Sequence, residues 1–502
     1  MLLRCQRLRE SDQSSVDSSP RQGVCECRDV TSSRLSGPSA TTATRPPSGP
    51  APDAPADGRA GAVLAAGAGV ATALFAVAVV VARLPGVDVH AGLAAPMLAT
   101  WGPRVGLGSV PVLVLVWWSA TARPWGWVLR LSWSRLMVVA WASSAAWMVS
   151  LALVDGVDGI GAVLDRPSEY LSSARAVDDV GDLLRSFVSR IPLTASDSWP
   201  VHVAGHPPGA LLFFVALSRI GMGSGPAAGL VVVAVAATVP VAVAVTCRGL
   251  GEQARLRPVL PFLVMGPFAV WQAVSADAVF AAAAAWTVAL AAMAGAARRR
   301  PVAKAWAGAA GVGLGACAML SYGLPLMAVV VLAVLAGARG WTREVARLLG
   351  VVAVGVASVM GGFALAGFAY WDAYPVLHQR YWDGLATARP AAYWLWADVA
   401  LLAVCAGPVL FGALALSGHR LLDAFRHPQR DPLMTLVAGA VVAVVLADLS
   451  LMSKAEVERI WLPFVPWLLL STVTLPARWR RSALVGQVGL GLLVQSLLVT
   501  PW

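Results

Sequence analysis

The stretch "GAVLAAGAGVATALFAVAVVVA", residues 61–82, decides the fold class of this chain. It contains no charged side chain, and about 20 apolar residues in a helix are enough to cross the hydrocarbon core of a bilayer. A helix also satisfies its own backbone hydrogen bonds in lipid, where no water is available. Because similar apolar runs recur to the end of the sequence, we predict an all-α, polytopic membrane protein.

The composition supports this prediction. The chain has 502 residues, of which 58% are hydrophobic and 13% are charged, and its mean hydropathy is +0.70. The net charge of +11 comes mainly from arginines in the N-terminal segment and in short loops between apolar runs, as is typical of cytoplasmic loops in membrane proteins. This distribution argues against nucleic-acid binding. The six cysteines are scattered and indicate neither a disulfide framework nor a metal site.

Two regions are predicted from the change in composition. Residues 1–60 are rich in Ser, Pro, Arg and Asp and lack apolar periodicity, which predicts a disordered cytoplasmic tail. Residues 61–502 predict a polytopic domain with about 12 to 14 transmembrane helices. The expected location is the cell membrane, with a cytoplasmic N-terminus, and the lipid bilayer is the expected partner.

Two long polar segments are predicted on the outer face. Residues 155–205 include "EYLSSARAVDDVGDLLRSFVSRI", whose apolar side chains recur at helical spacing, so we expect amphipathic helices on the membrane surface. Residues 371–395 are rich in Trp and Tyr and predict an external aromatic loop. Between these segments, the apolar runs 207–221 and 258–271 are short, and the count of crossings requires one of them to be irregular. The distribution of charge favours the first.

Asp155 and Asp158 follow directly on the end of the third apolar run. An aspartate followed by glycine often only ends a helix. A carboxylate held at the bilayer surface is also suited to act as a general base, because partial desolvation raises its pKa. A divalent cation is compatible with Asp155, although the sequence requires no cofactor.

His202 and His206 lie just before Pro207 and Pro208, at the start of an apolar run. Proline is common in the first turn of a helix, which explains the prolines but not the histidines. Because Pro207 disfavours helical geometry at the residue before it, a two-histidine metal site on one helix face is not expected. The pair is instead a candidate for substrate binding.

Two later segments carry further candidates. His378 and Arg380 lie within the aromatic segment, where aromatic, His and Arg side chains together suit a sugar ring and a phosphate. The stretch "KAEVERIWLPF" opens a later apolar run with Lys454, Glu456 and Arg459. These features also have plainer interpretations, an interfacial aromatic belt and ion pairs at a helix start.

The order of these motifs resembles the GT-C superfamily of polyprenyl-phosphate-sugar-dependent glycosyltransferases, which includes protein O-mannosyltransferases and lipid A aminoarabinose transferases. The resemblance covers about residues 136 to 340 and rests on "VDGVDG", the surface-helix segment and "GHPPGALLFF" in that order. "SADAVFAAAAAW", which contains Asp277, is similar to an Asp-bearing outer turn of that family. The segment that follows, "GACAMLSYGLPLM", is similar to the next family segment.

The resemblance implies transfer of a sugar from a polyprenyl-phosphate donor to a hydroxyl of a glycan or protein on the outer face. It implies that Asp155, or otherwise Asp158, takes the acceptor proton. The implied substrate-binding residues are His202, His206, Asp277, His378, Arg380, Lys454, Glu456 and Arg459. The alternatives are a transporter or lipid flippase, a polysaccharide polymerase or ligase, and a homologue without activity.

Overall fold

The computed structural model describes residues 54–121 and 123–501, and regular structure there is almost entirely helical. The α-helices are α1 (Ala54–Val81), α2 (Ser109–Ser119), α3 (Arg123–Arg130), α4 (Trp133–Ala152), α5 (Tyr170–Arg175), α6 (Val180–Ser186), α7 (Val201–Ala204), α8 (Pro208–Arg219), α9 (Gly225–Ala236), α10 (Val239–Gly249), α11 (Gln253–Leu256), α12 (Leu260–Val264), α13 (Ala269–Gln272), α14 (Ala276–Ala296), α15 (Arg300–Leu320), α16 (Met327–Arg339), α17 (Arg343–Leu365), α18 (Tyr370–Asp383), α19 (Leu385–Ala388), α20 (Ala391–Cys405), α21 (Val409–Arg426), α22 (Pro432–Leu449), α23 (Val457–Ile460), α24 (Val465–Leu469) and α25 (Ala477–Leu497). The short 3-10 helices are Leu153–Asp155, Val157–Ile160, Ala162–Asp165, Val188–Arg190, Leu324–Leu326 and Leu470–Thr474. Two short antiparallel strands, β1 (Thr100–Trp101) and β2 (Leu498–Val499), pair the segment between α1 and α2 with the segment after α25.

The predicted all-α membrane architecture is confirmed in its general form. Within the described residues, seven helical segments are long and apolar enough to cross a membrane. They are Gly58–Val81, Trp133–Asp155, Gly225–Gly249, Ala276–Ala296, Arg300–Leu320, Arg343–Leu365 and Pro432–Leu449. The chain is therefore a membrane-embedded helical protein.

The predicted total of 12 to 14 spans is larger than this set of long helices. Four further apolar helices are shorter, Ser109–Ser119, Pro208–Arg219, Leu324–Arg339 and Val465–Thr474. The run predicted as one span over 396–417 forms two helices, α20 and α21, bent by 107°. Gly407 has a positive φ of 85° at the break and is followed by Pro408, so the chain turns where a straight helix was predicted.

The boundary predicted at residue 60 also needs correction. Helix α1 begins at Ala54, so the last residues of the segment predicted as tail are helical. The rest of that prediction, residues 1–53, lies outside the described residues.

Both short runs of the middle region differ from a single straight span: 207–221 forms the short helix α8, and 258–271 forms the still shorter helices α12 and α13. The N-terminal side of α8 follows His206, and at its C-terminal end Arg219 donates a hydrogen bond to the carbonyl of Asp178. Arg175 likewise reaches the carbonyl of Gly223, 2.8 Å away. Both ends of α8 therefore contact the same polar segment, 155–205. At 12 residues the helix is only about 18 Å long, too short for a bilayer core.

Contacts between the polar segments fall into two sets, one at each end of the long helices. We call these the upper end and the lower end. At the upper end, segment 155–205 contacts α18 through Arg380, whose guanidinium lies 3.0 Å from the carbonyl of Trp199. At the lower end, Arg255 pairs with Asp431 at 2.9 Å, and Arg257 donates to the carbonyl of Leu131. The segments predicted on one face of the membrane thus contact one another.

Two upper-end segments differ from the prediction. Residues 371–395, predicted as a loop, form mainly helices α18, α19 and the start of α20, with Pro375 inside α18. The amphipathic helices α5 and α6 are present, but their apolar face is not free to lie on lipid. Tyr170 stacks on Phe214 of α8 with ring centroids 5.2 Å apart, and Leu171 is fully buried.

The position of α8 predicts the accessibility of introduced cysteines. In a cysteine-free background, Ser189→Cys before the helix and Met222→Cys after it should react with a membrane-impermeant maleimide from the same side. Arg299→Cys, between α14 and α15, should react only from the opposite side. All three positions are exposed. Labelling of Ser189→Cys and Met222→Cys from opposite sides would show that α8 crosses.

The contact between α1 and α21 predicts a stability difference between two glycines. A Cβ at Gly67 would lie 2.7 Å from the Cα of Gly412, whereas a Cβ at Gly69 would meet nothing within 4 Å. Gly67→Val should therefore destabilise the protein by about 1–3 kcal/mol through overpacking. Thermal unfolding in detergent should show a lower midpoint for Gly67→Val than for the matched control Gly69→Val. Equal midpoints would contradict this packing.

Candidate functional site

A network of buried charges occupies the upper end of the membrane helices. Arg459, on α23 and 7% exposed, donates to Asp277 at 2.8 Å and to Glu456 at 3.1 Å. Asp277 lies in the first turn of α14, where the helix dipole favours a negative charge. Ala455 and Glu456 both have positive φ angles, 66° and 61°, so the backbone turns sharply to present this segment to α14.

The network extends to the segment between α19 and α20. Arg389 donates to Glu456 at 3.3 Å and to the carbonyl of Lys454 at 2.7 Å. The Lys454 ammonium in turn donates to the carbonyls of Arg389, at 2.9 Å, and Ala386. We call Asp277, Arg389, Lys454, Glu456 and Arg459 the ionic cluster. Its charges are largely paired with one another, as burial in an apolar protein requires.

A second group, the histidine group, consists of Glu169, Tyr170, His202 and His206. His206 Nδ1 lies 2.8 Å from Tyr170 Oη and 2.9 Å from the carbonyl of His202. A carbonyl can only accept, so Nδ1 carries the proton and the neutral ring keeps its lone pair on Nε2. His202 Nδ1 lies 2.5 Å from Glu169, a carboxylate that is 6% exposed.

The two groups are close enough to act on each other electrostatically. Burial raises the pKa of Tyr170 well above its usual range, and Asp277 and Glu169 raise it further. Burial lowers the pKa of His206, although Asp277 opposes the change. The ring of His206 also packs on Phe280 of α14, with centroids 5.3 Å apart. A buried, neutral imidazole thus stands beside the ionic cluster.

Charge pairing fixes the protonation states of the cluster. Burial alone would lower the pKa of Arg459, but Asp277 and Glu456 raise it above its usual value. Burial alone would raise the pKa of Glu456, but Arg459 and Arg389 lower it below its usual value. Both groups are therefore charged at neutral pH, in a region where water screens them little.

The structure brings together six of the candidate residues predicted from the sequence and separates others. His202, His206, Asp277, Glu456 and Arg459 lie in the two neighbouring groups, and Lys454 belongs to the ionic cluster. Arg380 instead donates to Ser198 Oγ and to the carbonyls of Ile191 and Trp199, which ties α18 to segment 155–205. His378 is exposed on α18 and accepts a hydrogen bond from Trp382 at 3.1 Å.

Asp155 lies in a different environment. Its carboxylate pairs with Arg104 and accepts from Gln495 at 2.8 Å, beside the two short strands. Asp158 is exposed in the following 3-10 helix. Neighbours of this kind, a cation and an amide, do not build a cation site around Asp155. Within the described residues, no group of three or more His, Cys, Asp and Glu side chains is arranged to hold a metal ion.

Three buried carboxylates near the site were not among the site residues selected from the sequence. Glu169 was hidden within the amphipathic segment and was not selected as a candidate. Asp398, 1% exposed, lies inside α20, and its carboxylate accepts from the amide of Ala455 at 3.1 Å. A lone carboxylate in an apolar run is a usable signal for a functional residue. Glu458, next to Arg459, is the third.

Comparison with protein-family models finds no match for this chain, and comparison with curated proteins finds no similar sequence.

Glu458 predicts a pH-dependent stability. Its carboxylate is fully buried, and burial raises its pKa from 4.5 to about 7. An acid whose pKa is raised in the folded state costs stability once it ionises, so the cost grows from about pH 4.5 to pH 7 and persists above. Glu458→Gln should therefore gain stability relative to wild type as the pH rises from 4.5 to 7, by about 3 kcal/mol at most.

Thermal unfolding in detergent across this pH range measures the difference between the two proteins. Glu344→Gln, which removes a glutamate at the start of α17, controls for loss of one negative charge. A constant difference between Glu458→Gln and wild type from pH 4.5 to 8 would contradict the prediction.

Proposed function

We propose that this chain is a membrane glycosyltransferase that moves a sugar from a polyprenyl-phosphate donor to a hydroxyl acceptor at the upper end. The observation that carries the proposal is a buried carboxylate, Glu169, beside His202 and in the electrostatic neighbourhood of buried Arg459. Transfer of this kind needs a base for the acceptor hydroxyl and cations for the departing phosphate. The order of sequence motifs that resembles the GT-C superfamily supports the same function.

The proposed step is an in-line displacement at the anomeric carbon of the sugar. The acceptor oxygen forms the new bond as its proton passes to a carboxylate, and the bond between the sugar and the phosphate oxygen breaks with inversion. The polyprenyl phosphate leaves with the bonding electron pair. Its added charge is stabilised by Arg459 and Arg389, and the lone pair on His206 Nε2 accepts a hydrogen bond from a sugar hydroxyl.

The geometry favours a different base from the one expected from the sequence. Asp155 was expected to take the proton, with Asp158 as the alternative. Both oxygens of Asp155 accept hydrogen bonds from Arg104 or Gln495, and its side chain is 37% exposed. Glu169 is buried, lies against His202 and acts electrostatically on Arg459. We therefore assign the base to Glu169.

The function is tested with purified protein in liposomes that contain polyprenyl-phosphate donors carrying mannose, glucose or arabinose. Wild type should release polyprenyl phosphate and form a labelled glycoside. Glu169→Gln should lower kcat by about 100-fold or more, because a positioned base contributes at least that much. Asp158→Asn, an exposed carboxylate of the same segment, is the matched control and should retain activity.

Two outcomes would overturn parts of this proposal. Full activity of Glu169→Gln together with loss of activity in Asp155→Asn would return the role of base to Asp155. Absence of transfer by wild type from all three donors would argue against a glycosyltransferase.

A second candidate function is transport of a solute or lipid. It is favoured by Asp398, a buried carboxylate in one half of the bent helix pair α20 and α21. Broken helices and ionisable side chains within the membrane region are common features of transporters. Counterflow of a labelled lipid or sugar across the same liposomes, without any covalent product, would identify this function instead.

A further inference from the structure

Four aromatic side chains form a continuous row along α18. Tyr370, Tyr374, His378 and Trp382 recur every four residues, a spacing that places them on one helix face. The ring centroids of successive members are 6.4, 6.4 and 6.2 Å apart, and the two tyrosine rings are nearly parallel, at 4°. We call these four residues the aromatic ladder. It extends for about 18 Å.

The aromatic ladder packs against Tyr322 at one end, and two of its members are exposed. Tyr322, in the turn after α15, packs against Tyr370 and Tyr374 with ring centroids 5.2 and 5.8 Å away. Tyr374 remains 38% exposed, and His378 is exposed. The rings are therefore held in place while their outward parts can meet a ligand. An ordinary interfacial aromatic belt requires no such regular contact between rings.

His378 adds a directed polar group to the aromatic ladder. Trp382 Nε1 donates to His378 Nε2 at 3.1 Å, and an indole nitrogen can only donate. In this arrangement the ring proton lies on Nδ1, the nitrogen not engaged by Trp382. A hydrogen-bond donor thus stands between stacking surfaces, as recognition of a hydroxyl-rich ring requires.

One end of the aromatic ladder touches the ionic cluster. The Lys454 ammonium lies 4.4 Å from the ring centroid of Trp382, within the range of a cation–π contact. Lys454 also donates to the carbonyl of Arg389, and Arg389 pairs with Glu456. A molecule lying on the aromatic ladder would therefore have one end directed toward the ionic cluster.

We propose that the aromatic ladder binds the acceptor, and that the acceptor is a saccharide chain. The proposal rests on the glycosyltransferase function and names the class of its acceptor. Sugar rings present C–H faces that stack on aromatic rings and a rim of hydroxyls that accept from groups such as His378 Nδ1. A row of rings at nearly constant spacing matches a polymer of repeating rings, whose terminal hydroxyl would reach the ionic cluster.

Binding and transfer are measured separately with the full-length protein in detergent and in liposomes. The probes are malto-, cello- and manno-oligosaccharides of increasing length. The variants are Tyr374→Ala and His378→Ala on the aromatic ladder and Tyr374→Phe, which keeps the ring. Trp371→Ala is the matched control, because Trp371 is 57% exposed on the same helix but outside the aromatic ladder. Calorimetry gives the Kd, and the transfer assay gives the KM for the acceptor.

For at least one series, wild-type affinity should rise with chain length until the aromatic ladder is covered. Tyr374→Ala and His378→Ala should weaken binding about tenfold, and raise the acceptor KM by the same factor, since loss of one aromatic contact costs roughly one such factor. Tyr374→Phe and Trp371→Ala should stay within about twofold of wild type. Donor KM should not change.

The outcomes separate this inference from the function on which it rests. Transfer by wild type with equal acceptor KM for Tyr374→Ala and Trp371→Ala would overturn the acceptor site and leave the glycosyltransferase intact. Ladder-dependent binding of oligosaccharide without any transfer would support the saccharide site and overturn the glycosyltransferase. Failure of wild type to bind any of the three series would overturn the saccharide site.

Discussion

The upper end of this protein is organised around the burial of one guanidinium group, that of Arg459. Arginine does not lose its proton inside a protein, so its charge must be met by other charges and hydrogen bonds. Asp277 and Glu456 supply them from α14 and from the segment before α23. Removing one member of such a buried pair costs about 3–5 kcal/mol, because the other charge is left unpaired. The need to pair the buried charge of Arg459 therefore holds together segments that are far apart in sequence.

Further contacts follow from the same constraint. Glu456 has two oxygens, and the one not facing Arg459 pairs with Arg389. Arg389 donates to the carbonyl of Lys454, and the Lys454 ammonium donates to the carbonyl of Arg389. These two hydrogen bonds order the chain between α19 and α20. The segments 371–395 and 453–459 are thereby joined. On the other side, Phe280 of α14 packs on His206, and His206 contacts Tyr170 of segment 155–205.

Much of this arrangement could be predicted from the sequence. Apolar run length identified the long membrane helices, and loop charge grouped the polar segments that contact one another. The same arguments selected His202, His206, Asp277 and Arg459 as candidates, but they did not predict that the run 258–271 is broken into α12 and α13. These results depend on local composition, which a single sequence records directly.

What could not be predicted depends on contacts between distant parts of the chain. Arg104 and Gln495, the partners of Asp155, lie next to two short paired strands that are almost 400 residues apart in the sequence. Pro375 and the aromatic composition concealed α18, which is held by Arg380 and by ring packing. Glu169 looked like one more charge on an amphipathic helix, and only its burial beside His202 distinguishes it.

The degree of pairing in the ionic cluster bears on the choice between catalysis and transport. If alternating access moved these buried charges apart, each unpaired state would be costly in a medium that screens charge weakly. An enzyme needs no such movement, because donors fixed before the reaction stabilise the leaving group without reorganising. Arg459, Arg389 and Lys454 are held from several elements at once, so they suit fixed stabilisation of a phosphate better than movement between two states. Asp398 of α20 accepts from the amide of Ala455, and this hydrogen bond helps to fix the turn that presents Glu456 and Arg459.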